Sequence, residues 1–123
     1  MTADGRQQPL VAVLYDVPLV CEAISSSMDG IAEVRGFPAH RDDPVGLLRA
    51  LAPDAVVVDD PAEAAAVRGW AEANDIPLVH VRPRERKLRL LRDGEWLDSI
   101  GGSAETIRNA IAGALYARAA ARR

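Results

Sequence analysis

The chain has 123 residues, 49% hydrophobic and 27% charged, with 8 prolines and 9 glycines; that suits one domain able to bury its own core and excludes two full domains. One cysteine, Cys21, excludes an internal disulfide, and no apolar run approaches the ~18–20 residues of a membrane span. A net charge of −3 argues against a protein that coats phosphate backbones, so neither nucleic acid nor membrane is an expected partner. Segment 1–8 is polar and expected to be disordered; it lacks the apolar core of a secretory signal, which makes the cytoplasm the expected compartment.

Leu10 to Leu14 is an unbroken apolar run, the pattern of a strand covered on both faces. Asp16 and Pro18 then open a helix, with Asp16 as its cap and Val20, Ile24 and Met28 on one stripe, and Gly30 ends it. Ile31 to Phe37 reads as a strand near a sheet edge, because Glu33 and Arg35 interrupt its apolar residues. Asp43-Pro44 starts a second helix that Pro53 stops, and Ala55 to Val58 is a third apolar strand. Asp60-Pro61 opens an alanine-rich helix to about Ala73, ahead of a fourth strand at Pro77 to Val81.

Strands alternating with helices predict an α/β fold with a doubly wound parallel sheet and helices on both faces. The rhythm then breaks. Asp93-Gly94 lies between Lys87 to Leu91 and Glu95 to Leu97, a strong hairpin signal, with a short helix from Arg84 to Arg92 as the rival reading. Ser103 caps a last helix with Ile107, Ile111 and Leu115 on its stripe, and residues 117–123 are an Ala/Arg-rich helix end or tail.

Tyr15-Asp16-Val17-Pro18-Leu19-Val20 resembles the D-D-x-P-L-V segment of response-regulator receiver domains, especially those fused to helix-turn-helix output domains. Pro53 to Asp59 is similar to the segment of that family that ends on its phosphate-accepting aspartate; Ile76 to Val81 resembles its fourth strand, and Ser103 to Ile111 its last helix. The similarity covers residues 9–116. It implies a receiver (flavodoxin-like) fold with a five-stranded parallel core of order 2-1-3-4-5, here with a β-hairpin replacing the fourth helix and an added antiparallel strand at Lys87 to Leu91, and a site at the carboxyl ends of the strands.

Asp59 falls on the phosphoacceptor position of the family and, with Asp16, on its metal-binding acids, where Mg²⁺ would sit weakly. Tyr15 replaces the first acid and Arg82 the hydroxyl residue, so Tyr15, Asp60 and Arg82 are the expected remainder of the pocket. The family's lysine is matched by Asp98 or Ser99, and the single lysine, Lys87, lies before the hairpin. Because fixed cations and donors supply most of the catalysis in such sites, the implied module is non-enzymatic, with no catalytic residue and no required cofactor. Its expected work is protein–protein interaction in transcriptional or developmental regulation. The alternatives are an atypical phosphoacceptor receiver and a small-ligand sensor using the eroded pocket.

Bland readings stand beside these. Asp60 before Pro61 is equally a helix cap, and Asp16 a cap rather than a metal ligand. Arg82 could pair with Asp59 and imitate a charged state. His40 and His80 show no metal-ligand spacing, Cys21 reads as buried and inert, and Gly101-Gly102-Ser103 reads as an ordinary loop more readily than an anion cradle. The basic run Arg82, Arg84, Arg86, Lys87, Arg89 and Arg92 reads first as a solvated edge protected by charge.

With no fourth helix, the face near Val79, Val81, Leu88 and Leu90 is expected to be bare. That predicts a homodimer, or docking of another signalling protein, anchored by Leu88, Leu90 and Trp96 and rimmed by Arg84, Arg86 and Arg89.

Overall fold

The computed structural model describes residues 8–100 and 103–121, so the first seven residues of the expected disordered segment, Gly101-Gly102 and the last two residues of the tail lie outside the described residues. The chain folds as an α/β protein with one six-stranded mixed sheet and four helices. The elements in order are β1 (Leu10–Tyr15), α1 (Pro18–Ser27), β2 (Glu33–Pro38), α2 (Pro44–Leu51), β3 (Ala55–Val58), α3 (Pro61–Ala73) and β4 (Leu78–Arg82). A single 3₁₀ turn at Pro83–Glu85 leads to β5 (Lys87–Arg92), β6 (Glu95–Ile100) and α4 (Ala104–Ala121).

The spatial order is β2-β1-β3-β4-β5-β6. β2, β1, β3 and β4 pair in parallel, whereas β4–β5 and β5–β6 are antiparallel. The expected five-stranded parallel core is therefore corrected to four parallel strands followed by an antiparallel pair. The reason is the length of one link. A parallel neighbour needs a crossover of about a dozen residues, and only Pro83 to Arg86 separate β4 from β5, so the chain must turn straight back. β5 thus takes the place beside β4, and β6 becomes the sheet edge.

The hairpin itself is as the sequence signalled: Asp93 and Gly94 have φ of 52° and 80°, the two positive values that a two-residue turn of matching twist requires. The rival helix from Arg84 to Arg92 is absent; the 3₁₀ turn at Pro83–Glu85 is followed by β5.

Successive strand residues point to opposite faces, which splits the core in two. Val11, Val13, Val57, Val79 and Val81 meet Val20 and Ile24 of α1 and Ile107, Ile111 and Leu115 of α4. Ala12, Leu14, Val56, Val58 and Leu78 meet Leu48 of α2 and Ala64, Val67 and Ala71 of α3. The face expected to be bare is covered: Val79, Val81 and Leu88 are at most 2% exposed and lie in the α1/α4 cluster. The last helix does what the missing fourth helix was expected to leave undone.

Gly36, Tyr15 and the α1 residue Cys21 fit together tightly. Gly36 of β2 has no room for a side chain, because a Cβ there would overlap Cys21 Sγ and approach the Tyr15 ring to 3.3 Å. At the opposite end of the sheet Asp54 accepts the Leu10 N–H at 2.8 Å and an Arg118 N–H at 2.9 Å, tying the start of β1 to the end of α4. Among the described residues no helix is long and apolar enough to cross a membrane.

Candidate functional site

The carboxyl ends of β1 and β3 bring together Tyr15, Asp16, Asp59 and Asp60. Asp59, expected as phosphoacceptor and metal ligand, spends both carboxylate oxygens on backbone: Oδ1 accepts the Asp16 N–H at 2.6 Å and Oδ2 the Val17 N–H at 2.9 Å. α1 begins with Val17 at its N-cap position and no side-chain cap, so the expected capping role of Asp16 is corrected. The β1–α1 turn is held by Asp59 across the sheet instead. Asp60 does cap α3, accepting the Glu63 N–H at 3.0 Å.

Asp16, released from capping, turns to solvent and faces His40 in the link between β2 and α2. His40 Nε2 lies 3.8 Å from Asp16 Oδ1 and 3.8 Å from Asp60 Oδ1, too long for hydrogen bonds. One donor atom from each of Asp16, His40 and Asp60 falls within 4.8 Å of the others. Among the described residues the group of three that converges is thus two carboxylates and an imidazole. Mg²⁺ prefers oxygen ligands with its own waters, whereas an imidazole suits zinc or copper.

Tyr15 is half-buried and packs against the α1/α4 core. Arg82, at the end of β4, forms its ion pair with Glu85 at 3.3 Å, which corrects the expected contact with Asp59. Lys87 stands opposite Arg82 in the register, on the antiparallel strand and away from Asp59. Cys21 is half-buried, and burial pushes its thiol pKa up, with the Ser25 hydrogen bond opposing and Glu22 and Asp59 reinforcing the shift.

The second polar constellation was not foreseen. His80 is 1% exposed in the middle of β4, and its Nδ1 accepts a hydrogen bond from Arg89 Nε at 3.0 Å. A neutral ring that accepts at Nδ1 carries its proton on Nε2. Burial first, then the charges of Arg89 and Arg82, lower the His80 pKa to about 4, against the smaller opposing pull of Asp60 and Asp59. The Arg89 guanidinium lies 4.1 Å from the centre of the Trp96 ring, and His80 meets that ring edge-on at 6.2 Å. Arg68 of α3 approaches the same ring at 6.0 Å and ties the hairpin turn by donating to the Gly94 carbonyl at 2.7 Å.

The expected interface residues divide accordingly. Leu88 is core and Leu90 is half-buried against the α1/α4 cluster, so neither is an anchor on an open face. Trp96 is half-buried on the opposite face, Arg89 is stacked on it, and Arg84 and Arg86 are exposed. A groove of about 630 Å³ lies at the other end of the sheet, between the ends of α3, β5 and α4, with Ala71, Ile76, Pro77, Leu91 and Ala114 in its wall, and a second of about 580 Å³ is lined by His40 to Asp43 and Leu47 past the carboxyl end of β2, the side where a sensor's pocket was expected.

Comparison with family models, curated proteins and solved structures gives no match for this chain.

Proposed function

We propose that this chain is a receiver-like signalling module, with the flavodoxin-like fold that name implies, and that it acts by binding another protein without taking up phosphate. The observation that carries this reading is the double hydrogen bond of Asp59 to the Asp16 and Val17 amides. To accept a phosphoryl group, a carboxylate oxygen must attack phosphorus while a metal and a fixed cation absorb the charge that develops. Here both oxygens already accept a backbone N–H, which draws electron density from the would-be nucleophile and fixes the carboxylate against the turn. The nearby cation, Arg82, is engaged by Glu85, and the convergent metal donors lie beside Asp59 rather than on it.

Self-association belongs to the same proposal through the sheet edge. β6 ends the sheet, with unpaired backbone groups and with Leu97 46% exposed, so a second copy can add there across a two-fold axis. Two measurements test the reading. Intact mass after incubation with acetyl phosphate and Mg²⁺ is expected to stay unchanged; a stoichiometric phosphate adduct lost in Asp59→Asn would overturn it. Light scattering on the purified chain is expected to exceed 13.2 kDa, and a monomer mass across micromolar concentrations removes self-association.

A further inference from the structure

Residues 82–92 carry six basic side chains and one acidic one, a local charge of +5 in a chain of net charge −3, so the rest of the chain sums to −8. Within this run Arg84, Arg86, Lys87 and Arg92 are exposed and make no ion pair among the described residues. Pairing register places His80, Arg82, Lys87 and Arg89 on one face, the face on which α3 packs, because Arg82 is opposite Lys87 and His80 opposite Arg89. Trp96 and Asp98 of β6 share that face through Leu91 and Arg89.

Arg89 is the fixed point. Its Nε is held by the buried His80, and its Cζ lies over the Trp96 ring 4.1 Å from the centre, so one ring and one hydrogen bond restrict the guanidinium. Both contacts leave the two terminal nitrogens without a partner among the described residues. A guanidinium immobilised this way presents a fork that matches a carboxylate with little ordering entropy left to lose. Asp98, exposed and opposite Arg89 in register, lowers the local positive potential without forming an ion pair within 4.0 Å.

We propose that this face is a carboxylate-binding site centred on Arg89, flanked by Lys87, that takes an acidic segment of a partner protein. The proposal rests on the protein-binding reading above and names the chemistry of the partner. A short acidic segment fits the charge map better than a nucleic acid, because a long polyanion leaving the patch meets the −8 of the remaining chain. A buried neutral imidazole spent on the Nε of a surface arginine is otherwise a costly way to place a charge.

The test is fluorescence anisotropy of a labelled Asp/Glu-rich peptide of roughly ten residues with the intact chain, at low and at physiological salt. Saturable binding is expected. Arg89→Lys, which keeps the charge but not the fork, is expected to weaken it roughly tenfold, and Asp98→Asn to strengthen it. Should Arg89→Lys unfold, Asp98→Asn decides alone. Absence of saturable binding, unchanged affinity in Arg89→Lys or in Asp98→Asn, or tighter binding of a single-stranded oligonucleotide of equal charge would each overturn the proposal. None of these results bears on phosphate uptake at Asp59, which the intact-mass measurement reads separately.

Discussion

Protonating His80 should destabilise the folded protein. In the folded chain its pKa is about 4, set by burial and by the Arg89 and Arg82 charges; in the unfolded chain it returns to the ordinary 6.5. Between those values the unfolded state binds a proton that the folded state refuses, so stability rises with pH across the window. The contribution is complete above pH 6.5 and is lost progressively as pH falls towards 4. Two and a half pH units correspond to at most about 3 kcal/mol, a large share of the stability of a small domain.

The comparison variant is His80→Gln, whose side-chain carbonyl can still accept from Arg89 Nε but does not titrate. Urea denaturation of both proteins from pH 4 to pH 8 removes the carboxylates they share, leaving the imidazole as the difference. The wild type should lose about 2–3 kcal/mol relative to the variant between pH 7.5 and pH 4. Parallel stability curves over that range would refute the reasoning, since the imidazole would then be solvated or paired.

Other consequences are local. Asp54→Ala removes the acceptor of both the Leu10 amide and Arg118 and should cost about 2–4 kcal/mol in urea denaturation. Gly36→Ala forces a methyl group towards Cys21 Sγ and should cost about 1–3 kcal/mol by thermal melting, with most of it recovered in a Cys21→Ala background. Magnesium titration to millimolar levels, followed by tryptophan fluorescence, should give no saturable change of micromolar affinity, because both Asp59 oxygens already accept backbone N–H bonds and one of the three convergent donors beside them is an imidazole.

What could be read in the sequence was whatever depends on neighbours along the chain. The apolar runs at Leu10 to Leu14 and Ala55 to Val58 became buried strands, and Asp43 and Asp60 before proline became helix caps that accept the Gly46 and Glu63 amides. Asp93-Gly94 became the hairpin turn. The antiparallel strand expected at Lys87 to Leu91 formed as β5, since so short a link after β4 leaves only an antiparallel neighbour; the fifth parallel strand that the family resemblance implied beside β4 did not.

The site was legible in location but not in bonding. Asp59 serves amides 42 and 43 residues away, and Arg118 reaches Asp54 across 64, distances over which composition and periodicity carry no signal. Asp16, His40 and Asp60 come from three separate loops, so no spacing rule could gather them. The His80–Arg89–Trp96 stack depends on the register of three strands, and a single one-residue slip would have put these side chains on the other face.

The central claim, that Asp59 is a structural clamp and not a phosphate acceptor, is tested most directly at the two amides it holds. In ¹H–¹⁵N correlation spectra the Asp16 and Val17 amides should keep their positions when Mg²⁺ and acetyl phosphate are added, and should move together in Asp59→Asn. Saturable movement of both resonances on adding the phosphodonor, reversed as the acyl phosphate hydrolyses, would contradict the account.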